Sequence, residues 1–309
     1  MRRDARIWVT GHTGMVGRAL MDKLQSEGYY NLLLPSVRFD LRNQQAVNDW
    51  YDAVKPEYVF HCAAMVGGIK ANNQYRADFI YDNLMMEANV IHGAFSYGVT
   101  KLLFLGSSCI YPRVCPQPIR EEYLLGGYLE QTNEPYAVAK IAGIKMVESY
   151  RRQYGCDFIS AMPCNLYGPH DNFNVETAHV IPALMMKLKA SKDLHVWGSG
   201  NARREFMHVE DLADALYFLM CNYSDDLHIN VGTGRDMTIS DLVDALVDVS
   251  GWSGSVTFDK TVAEGTLAKL LDVRRINQLG WTAQINIYEG LECTWNWLNS
   301  AYGKRDIRV

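Results

Sequence analysis

Tyr136 and Lys140, in "PYAVAK", stand four residues apart, so on a helix they share one face. A lysine ammonium beside a phenol favours the phenolate and lowers a tyrosine pKa from its ordinary ~10, making the phenol a usable acid near neutral pH. Such a pair can protonate a carbonyl oxygen as hydride reaches the carbon. Ser107, in "GSSCIYP", is placed to give the same oxygen a second hydrogen bond. A Tyr-x-x-x-Lys pair alone is common on helices and carries little information. Its weight here comes from the serine and from a glycine loop upstream.

That loop, "VTGHTGMVG", carries Gly11, Gly14 and Gly17 between an apolar strand and an amphipathic helix. Glycines so placed allow a tight turn, close approach of backbone to a pyrophosphate, and close packing of helix on strand. The spacing is GxxGxxG, and its position after the first strand is what makes it a dinucleotide site. NAD selectivity requires an acid at the end of the second strand to hold the ribose 2′-hydroxyl. In "LLPSVRFDL" Ser36 and Arg38 come first, and a hydroxyl with a guanidinium suits a 2′-phosphate, so NADPH is expected. Asp40 is placed near the adenine. The expected cofactor-binding set is Gly11, Thr13, Gly14, Met15, Val16, Gly17, Ser36, Arg38, Asp40, Ala63, Lys140, Pro163, Asn165 and Leu166.

The elements that must position these groups alternate in the manner of a parallel sheet covered by helices. "RIWVTG", "NLLLPS", "YVFHCAA", "KLLFLGSS" and "DFISAMPC" read as five strands. "MVGRALMDKLQSEG", "QQAVNDWYDAVKP", "YDNLMMEANVIHGAFSYG" and "EPYAVAKIAGIKMVESYRRQYG" read as the helices between them, the last with Pro135 near its start and Gly155 after its end. Beyond residue 165 the alternation breaks into shorter elements, among them "LHINVGTG" and the helix "TISDLVDALVDVSG". The expected fold is α/β, a doubly wound parallel-sheet Rossmann domain with a smaller α/β C-terminal substrate domain. Residues 1–165 form the first, with 205–230 folding back onto it, and 166–204 with 231–309 form the second.

Composition bounds the rest. Hydrophobic residues at 48% and charged ones at 21% are ordinary globular values, and a net charge of -5 speaks against a general nucleic-acid or anionic-membrane binder. "IWVT" after "MRRDAR" is too short for the core of a signal peptide, and no later run reaches membrane-spanning length. A cytoplasmic protein is expected. The seven cysteines, at 62, 109, 115, 156, 164, 221 and 293, form no CxxC pair and no zinc spacing, which fits reduced thiols and no metal. Most free cysteines are small buried hydrophobes, so Cys109 needs a special argument.

The glycine loop, Ser107, Tyr136 and Lys140 together make the chain resemble the extended short-chain dehydrogenase/reductase superfamily. "GHTGMVG", "GSSCIYP", "TNEPYAVAK", "NLYGPHDNF", "AHVIPAL", "RREFMHVEDLADA" and "KLLDV" are similar to the motifs of the GDP-L-fucose synthase family. The resemblance implies NADPH-dependent conversion of GDP-4-keto-6-deoxy-D-mannose by C3/C5 epimerisation and C4 keto reduction. Epimerisation alpha to a ketone needs a base and an acid on opposite faces of the sugar. The resemblance assigns these to Cys109, as thiolate base, and His179, as acid; from the residues alone, Cys109 could equally fill a gap and His179 cap a short helix. A thiol with an ordinary pKa near ~8.5 would benefit from neighbouring positive charge.

The resemblance also implies a substrate-binding set of Ser108, Asn165, Lys187, Trp197, Arg204 and Lys269, cations suiting a pyrophosphate and a tryptophan face a base or sugar. The chain departs from the family pattern in three places. Thr13 stands where an arginine is common near the 2′-phosphate, the family's "KPDGTPRK" reads "VAEGTLAK" at 262–269, and the second-strand end lacks its polar and basic string. The second change opens an alternative, GDP-L-colitose synthesis, which epimerises C5 alone on a 3-deoxy sugar. A nucleotide-sugar 4-epimerase would need neither Cys109 nor His179, and a silent NADP-binding protein would not need Tyr136 and Lys140. The helices at 81–98 and 135–155 are apolar on more than one face, and the resemblance implies a homodimer through them.

Overall fold

The structure is a computed structural model describing residues 1–261 and 266–302. Its first half contains β1 (Ile7–Thr10), α1 (Met15–Ser26), β2 (Leu32–Leu33), α2 (Gln44–Val54), β3 (Tyr58–His61), α3 (Ile69–Gln74), α4 (Arg76–Ser96), β4 (Lys101–Leu105), α5 (Glu134–Tyr154) and β5 (Asp157–Pro163). There follow β6 (Asn165–Tyr167), α6 (Val180–Ala190), β7 (Asp193–Trp197), β8 (Arg203–His208), α7 (Val209–Asn222), β9 (Ile229–Val231), β10 (Asp236–Thr238), α8 (Ile239–Ser250), β11 (Ser255–Asp259), β12 (Ala268–Lys269), α9 (Arg274–Gln278) and α10 (Ile287–Ala301).

Six strands pair in parallel in the order β2-β1-β3-β4-β5-β9. Buried on both faces, β1 and β4 read as near-continuous apolar runs, interrupted only by Thr10 at the end of β1 and Lys101 at the start of β4, as expected of central parallel strands. From β1 the chain winds outward to β2, then returns to β3 and winds the other way. Right-handed crossovers then place α1 on one face and α2, α4 and α5 on the other, while α7, which leads into β9 only after the long excursion through β6–β8, packs on the α1 face. The reversal leaves a crevice at the carboxyl ends of β1 and β3, the usual ligand position in such sheets.

Two apolar cores result. The first surrounds the sheet, with Trp8 set edge-on to Tyr51 at 5.1 Å between ring centroids. The second gathers Tyr167, Leu184, Phe206, Leu242 and Leu291 from β6, α6, β8, α8 and α10, with Phe173 from the loop before α6. β8 joins β6, β10 and β12 in a small mixed sheet, and β7 pairs with β11.

The structure departs from the sequence expectations in places. β2 covers two residues where six were expected: Leu34 is exposed, and Pro35 cannot donate to a ladder at a sheet edge. Leu271, Val273, Ile276 and Trp281 pack in the first core, not with the remainder of 231–309 in the second. Backbone bonds between Ile119 and both Leu270 and Asp272, with Trp281 Nε1 donating to Asp214 at 2.8 Å, hold this stretch against the sheet.

Candidate active site

One cleft of about 1770 Å³ opens along the carboxyl ends of β1, β3, β4 and β5 and is closed on its far side by α6, β7 and β8. At its floor the Thr10 hydroxyl meets His61 Nδ1 at 2.8 Å and accepts the Ala63 N–H at 3.0 Å, fastening the ends of β1 and β3 together. His61 is fully buried, and its pKa is pushed down to about 3 by burial and by Lys140.

The glycine loop crosses this floor. Gly11 has φ +70°, and a Cβ there would stand 2.9 Å from Ala63 Cα; a Cβ on Gly17 would stand 2.2 Å from the Gly11 carbonyl oxygen. Gly14 caps α1 without a side chain, so the first N–H groups of the helix face the cleft uncovered by protein side chains. A pyrophosphate fits this cradle on backbone and helix dipole alone. Arg38 and Asp40 line its outer end, where Arg42 chelates Asp40 and reaches Asp82 on α4 at 2.8 Å. Ser36, exposed on the loop after the short β2, does not line the cleft, although its neighbours Pro35 and Arg38 do.

Past the end of β4, Ser107 leads into a single 3-10 turn over Ser108–Ile110, and its Oγ accepts the Cys109 N–H at 3.4 Å. Pro135 in the first turn of α5 and Gly155 in the left-handed region after it bound the helix that presents Tyr136 and Lys140. Lys140 Nζ lies 5.8 Å from the Tyr136 ring centre and donates to the Leu105 carbonyl at 3.1 Å. Ser107 lies near both the Tyr136 phenol and the Cys109 thiol and favours the ionised form of each.

Charge states differ from the sequence expectation in two respects. Tyr136 does not come down toward neutrality: burial first, then the charges of Cys109 and Glu87, push its phenol well above the ordinary value, and Ser107 only partly opposes them. The phenol therefore keeps its proton and stands ready to give it. Cys109 is likewise pushed up by burial, opposed most by Lys269, then by Ser107 and Lys140, so the thiol and not the thiolate is the resting form. The neighbouring positive charge that the thiol needed is thus present without outweighing desolvation.

His179 is the N-cap of α6 but makes no side-chain capping bond, which leaves its imidazole to the cleft it lines. The ring is open to the cleft yet walled in by protein, and this removal from bulk water lowers its pKa. Arg204 and Lys269 lie side by side because β8 and β12 pair them in register, forming a two-cation edge suited to a diphosphate. Lys187 donates to the His195 carbonyl at 2.9 Å and sits 5.3 Å above the Trp197 ring, whose 66% exposure offers a flat apolar face. Asn165 is anchored by a 2.8 Å bond from Nδ2 to the Glu205 carbonyl.

Every expected site residue except Ser36 therefore lines one cleft. Of the divergent 262–269 segment, Thr266 and Lys269 line it, and 262–265 lie outside the described residues. Sequence reasoning passed over Glu87, which reaches Lys140 from α4. A lone carboxylate inside the apolar run "NLMMEANVI" was the signal available.

The model of the NAD dependent epimerase/dehydratase family matches residues 7–232. The chain belongs to this family. The matched span holds the glycine loop, Ser107, Cys109, Tyr136, Lys140, His179 and Arg204, while Lys269 lies beyond it. Among individual epimerase/dehydratase proteins, the chain is 50% identical over 303 residues to a putative GDP-L-fucose synthase 2 of Arabidopsis thaliana, covering 96% of this chain and 92% of that protein. It is 49% identical over 307 residues to the GDP-L-fucose synthase of Escherichia coli (strain K12), covering 94% and 96%. Among solved structures, a GDP-L-fucose synthetase of Naegleria fowleri bound to NADP superposes with a TM-score of 0.93 at 31% identity, over 100% of this chain and 96% of that one.

Proposed function

We propose that the chain is an NADPH-dependent epimerase-reductase that converts GDP-4-keto-6-deoxy-D-mannose to GDP-L-fucose. The observation that carries the reading is that Cys109 and His179 share one cleft with Ser107, Tyr136 and Lys140. A 4-epimerase or a simple reductase needs the last three and has no use for the first two. Identity near 50% to proteins named for this activity supports it over nearly the whole chain.

The glycine cradle fits a dinucleotide pyrophosphate, and Arg38 supplies a guanidinium for a 2′-phosphate; when bound, NADPH supplies the hydride. The protein's own groups do the remainder. Cys109 takes the proton from the carbon alpha to the ketone and His179 returns one on the opposite face. Ser107 holds the ketone oxygen and Tyr136 protonates it, giving the C4 hydroxyl. Arg204 and Lys269 bind the diphosphate, and Trp197 with Lys187 covers the nucleoside end.

Residues 1–165 with 205–230 serve the cofactor, and 166–204 with 231–309 the nucleotide sugar, apart from the stretch around Leu271–Trp281 that props the first core. The enzyme works in the cytoplasm as a homodimer joined through α4 and α5, whose Tyr81 and Tyr154 are exposed. A monomeric mass by light scattering would overturn the dimer. Among the described residues no helix is long and apolar enough to cross a membrane.

The test is turnover of NADPH with the keto sugar in deuterated water, followed by mass and NMR analysis of the product. Deuterium at both C3 and C5 of GDP-L-fucose is expected. Label at C5 alone, with turnover confined to a 3-deoxy substrate, would assign colitose synthesis instead; reduction without label would remove Cys109 and His179 from the mechanism.

A further inference from the structure

Lys140 Nζ lies 3.0 Å from Glu87 Oε1, and the two side chains are 2% and 1% exposed. Glu87 comes from the middle of α4, Lys140 from the second turn of α5, and the Leu105 carbonyl from the end of β4, so three elements converge on one ammonium. Among the described residues the buried Glu87 carboxylate is ion-paired with Lys140, and neither of its oxygens has a hydrogen-bond partner. The chain also makes room for it: a Cβ on Gly143 would stand 2.9 Å from Glu87 Oε2 and 2.3 Å from Phe104 Cζ.

A buried ion pair is poor value as a stabiliser, since desolvating two charges offsets most of their attraction. Its usefulness must lie in what it does for Lys140. The Leu105 carbonyl accepts one of the ammonium's three donors and the carboxylate pairs with its charge at 3.0 Å, so the two together fix where Nζ sits. The pair also sets the field of the site. His61 at the end of β3 and Cys62 just after it feel Lys140, Cys109 in the 3-10 turn feels it, and Tyr136 on α5 feels Glu87.

We propose that Glu87 is a positioning residue for Lys140: it fixes the ammonium in a dry site, and by countering its charge it keeps the Tyr136 phenol and Cys109 thiol protonated between turnovers. The inference rests on the roles given above to Tyr136 and Lys140, but its first test does not need turnover. In Glu87→Gln the lysine charge is no longer countered, so both acidic groups should ionise more readily. Alkylation of Cys109 in the protein alone, followed by mass spectrometry against pH, should show the thiol titrating about one pH unit lower, the order by which a nearby charge moves a pKa. The alkaline limb of ketone reduction should move the same way, and Glu87→Asp, which keeps the charge, should return both toward wild type.

A purely structural role would lower activity and leave both profiles in place; unmoved profiles in a folded Glu87→Gln protein overturn the proposal. If the cysteine profile moves while no reduction occurs with any keto sugar, Glu87 stands and the functional reading falls. Should Glu87→Gln not fold, carbon NMR of wild type labelled at the glutamate carboxyls decides. An ionised Glu87 at neutral pH is expected, and a protonated one would overturn the proposal.

Discussion

Cys109 and His179 are displaced in opposite directions, thiol upward and imidazole downward, because the cleft takes the charged form of each away from bulk water. A step needing thiolate and imidazolium together then runs on a minority form, whose share is constant between the two pKa values and falls outside them. Epimerisation should accordingly be flat with pH across the neutral range. In His179→Asn the second proton donor is gone, so deuterium should enter without inversion, and its uptake should rise roughly tenfold per pH unit toward the thiol pKa. A flat profile in that variant would reject Cys109 as base. Cys109→Ser should lower deuterium uptake at C3 and C5 at least ~100-fold while NADPH titrates as in wild type. Both roles rest on resemblance: a cysteine or histidine in the sequence carries no mark of which wall of a cleft it will face. What the sequence did not disclose was their charge state, which depends on burial and on Lys269, brought up by β12 from 160 positions away.

At the scale of elements, the turn from β1 into α1 is the most exacting piece of backbone. Gly17→Ala would drive a Cβ to 2.2 Å from the Gly11 oxygen, against backbone that cannot yield without moving the loop. Overpacking of this kind costs on the order of 1–3 kcal/mol, and NADPH affinity should fall at least ~10-fold, measured by fluorescence titration of the purified protein. Unchanged affinity would mean the loop does not cradle the pyrophosphate. This turn was fully legible, because glycine types and spacing are local facts, and so were the long helices with their Pro135 start and Gly155 stop. The β7–β11 pair was not, since its partners lie 62 positions apart and each strand buries or half-buries only alternate residues, without a continuous apolar run. Glu87 was missed for a related reason: a lone carboxylate in an apolar helix announces a partner without naming it, and Lys140 is 53 residues away.

Across the whole molecule the two cores are tied where β8 passes between them. Glu205, fully buried on β8, accepts N–H bonds from Gly234 at 2.8 Å and Leu271 at 2.9 Å, joining the strand to the loop after β9 and to the segment leading into α9. Burial pushes its pKa up to about 7. A carboxyl that holds its proton more tightly folded than unfolded adds stability that is whole below its unfolded pKa of ~4.3 and is lost as pH rises through the folded value. For Glu205 that window runs from the unfolded value to about 7 and carries on the order of 3 kcal/mol, at 1.36 kcal/mol per pKa unit. Wild type should therefore lose melting temperature between pH ~5 and ~8, and Glu205→Gln should flatten much of that slope. Equal slopes would show that this carboxyl does not titrate in the folded protein.

The closeness of Ser107 to both Cys109 and Tyr136 has a further consequence. Proton exchange beside a ketone is reversible and yields a mixture of stereoisomers, whereas hydride delivery is in practice one-way. With both sets of groups on one bound sugar, the selection among isomers falls to the last event: the isomer whose oxygen rests between serine and tyrosine is drained from the mixture, and the others revert. Stereochemical purity is then a kinetic trap set by a hydroxyl pair, and a sluggish Tyr136 variant should release keto sugars of mixed configuration.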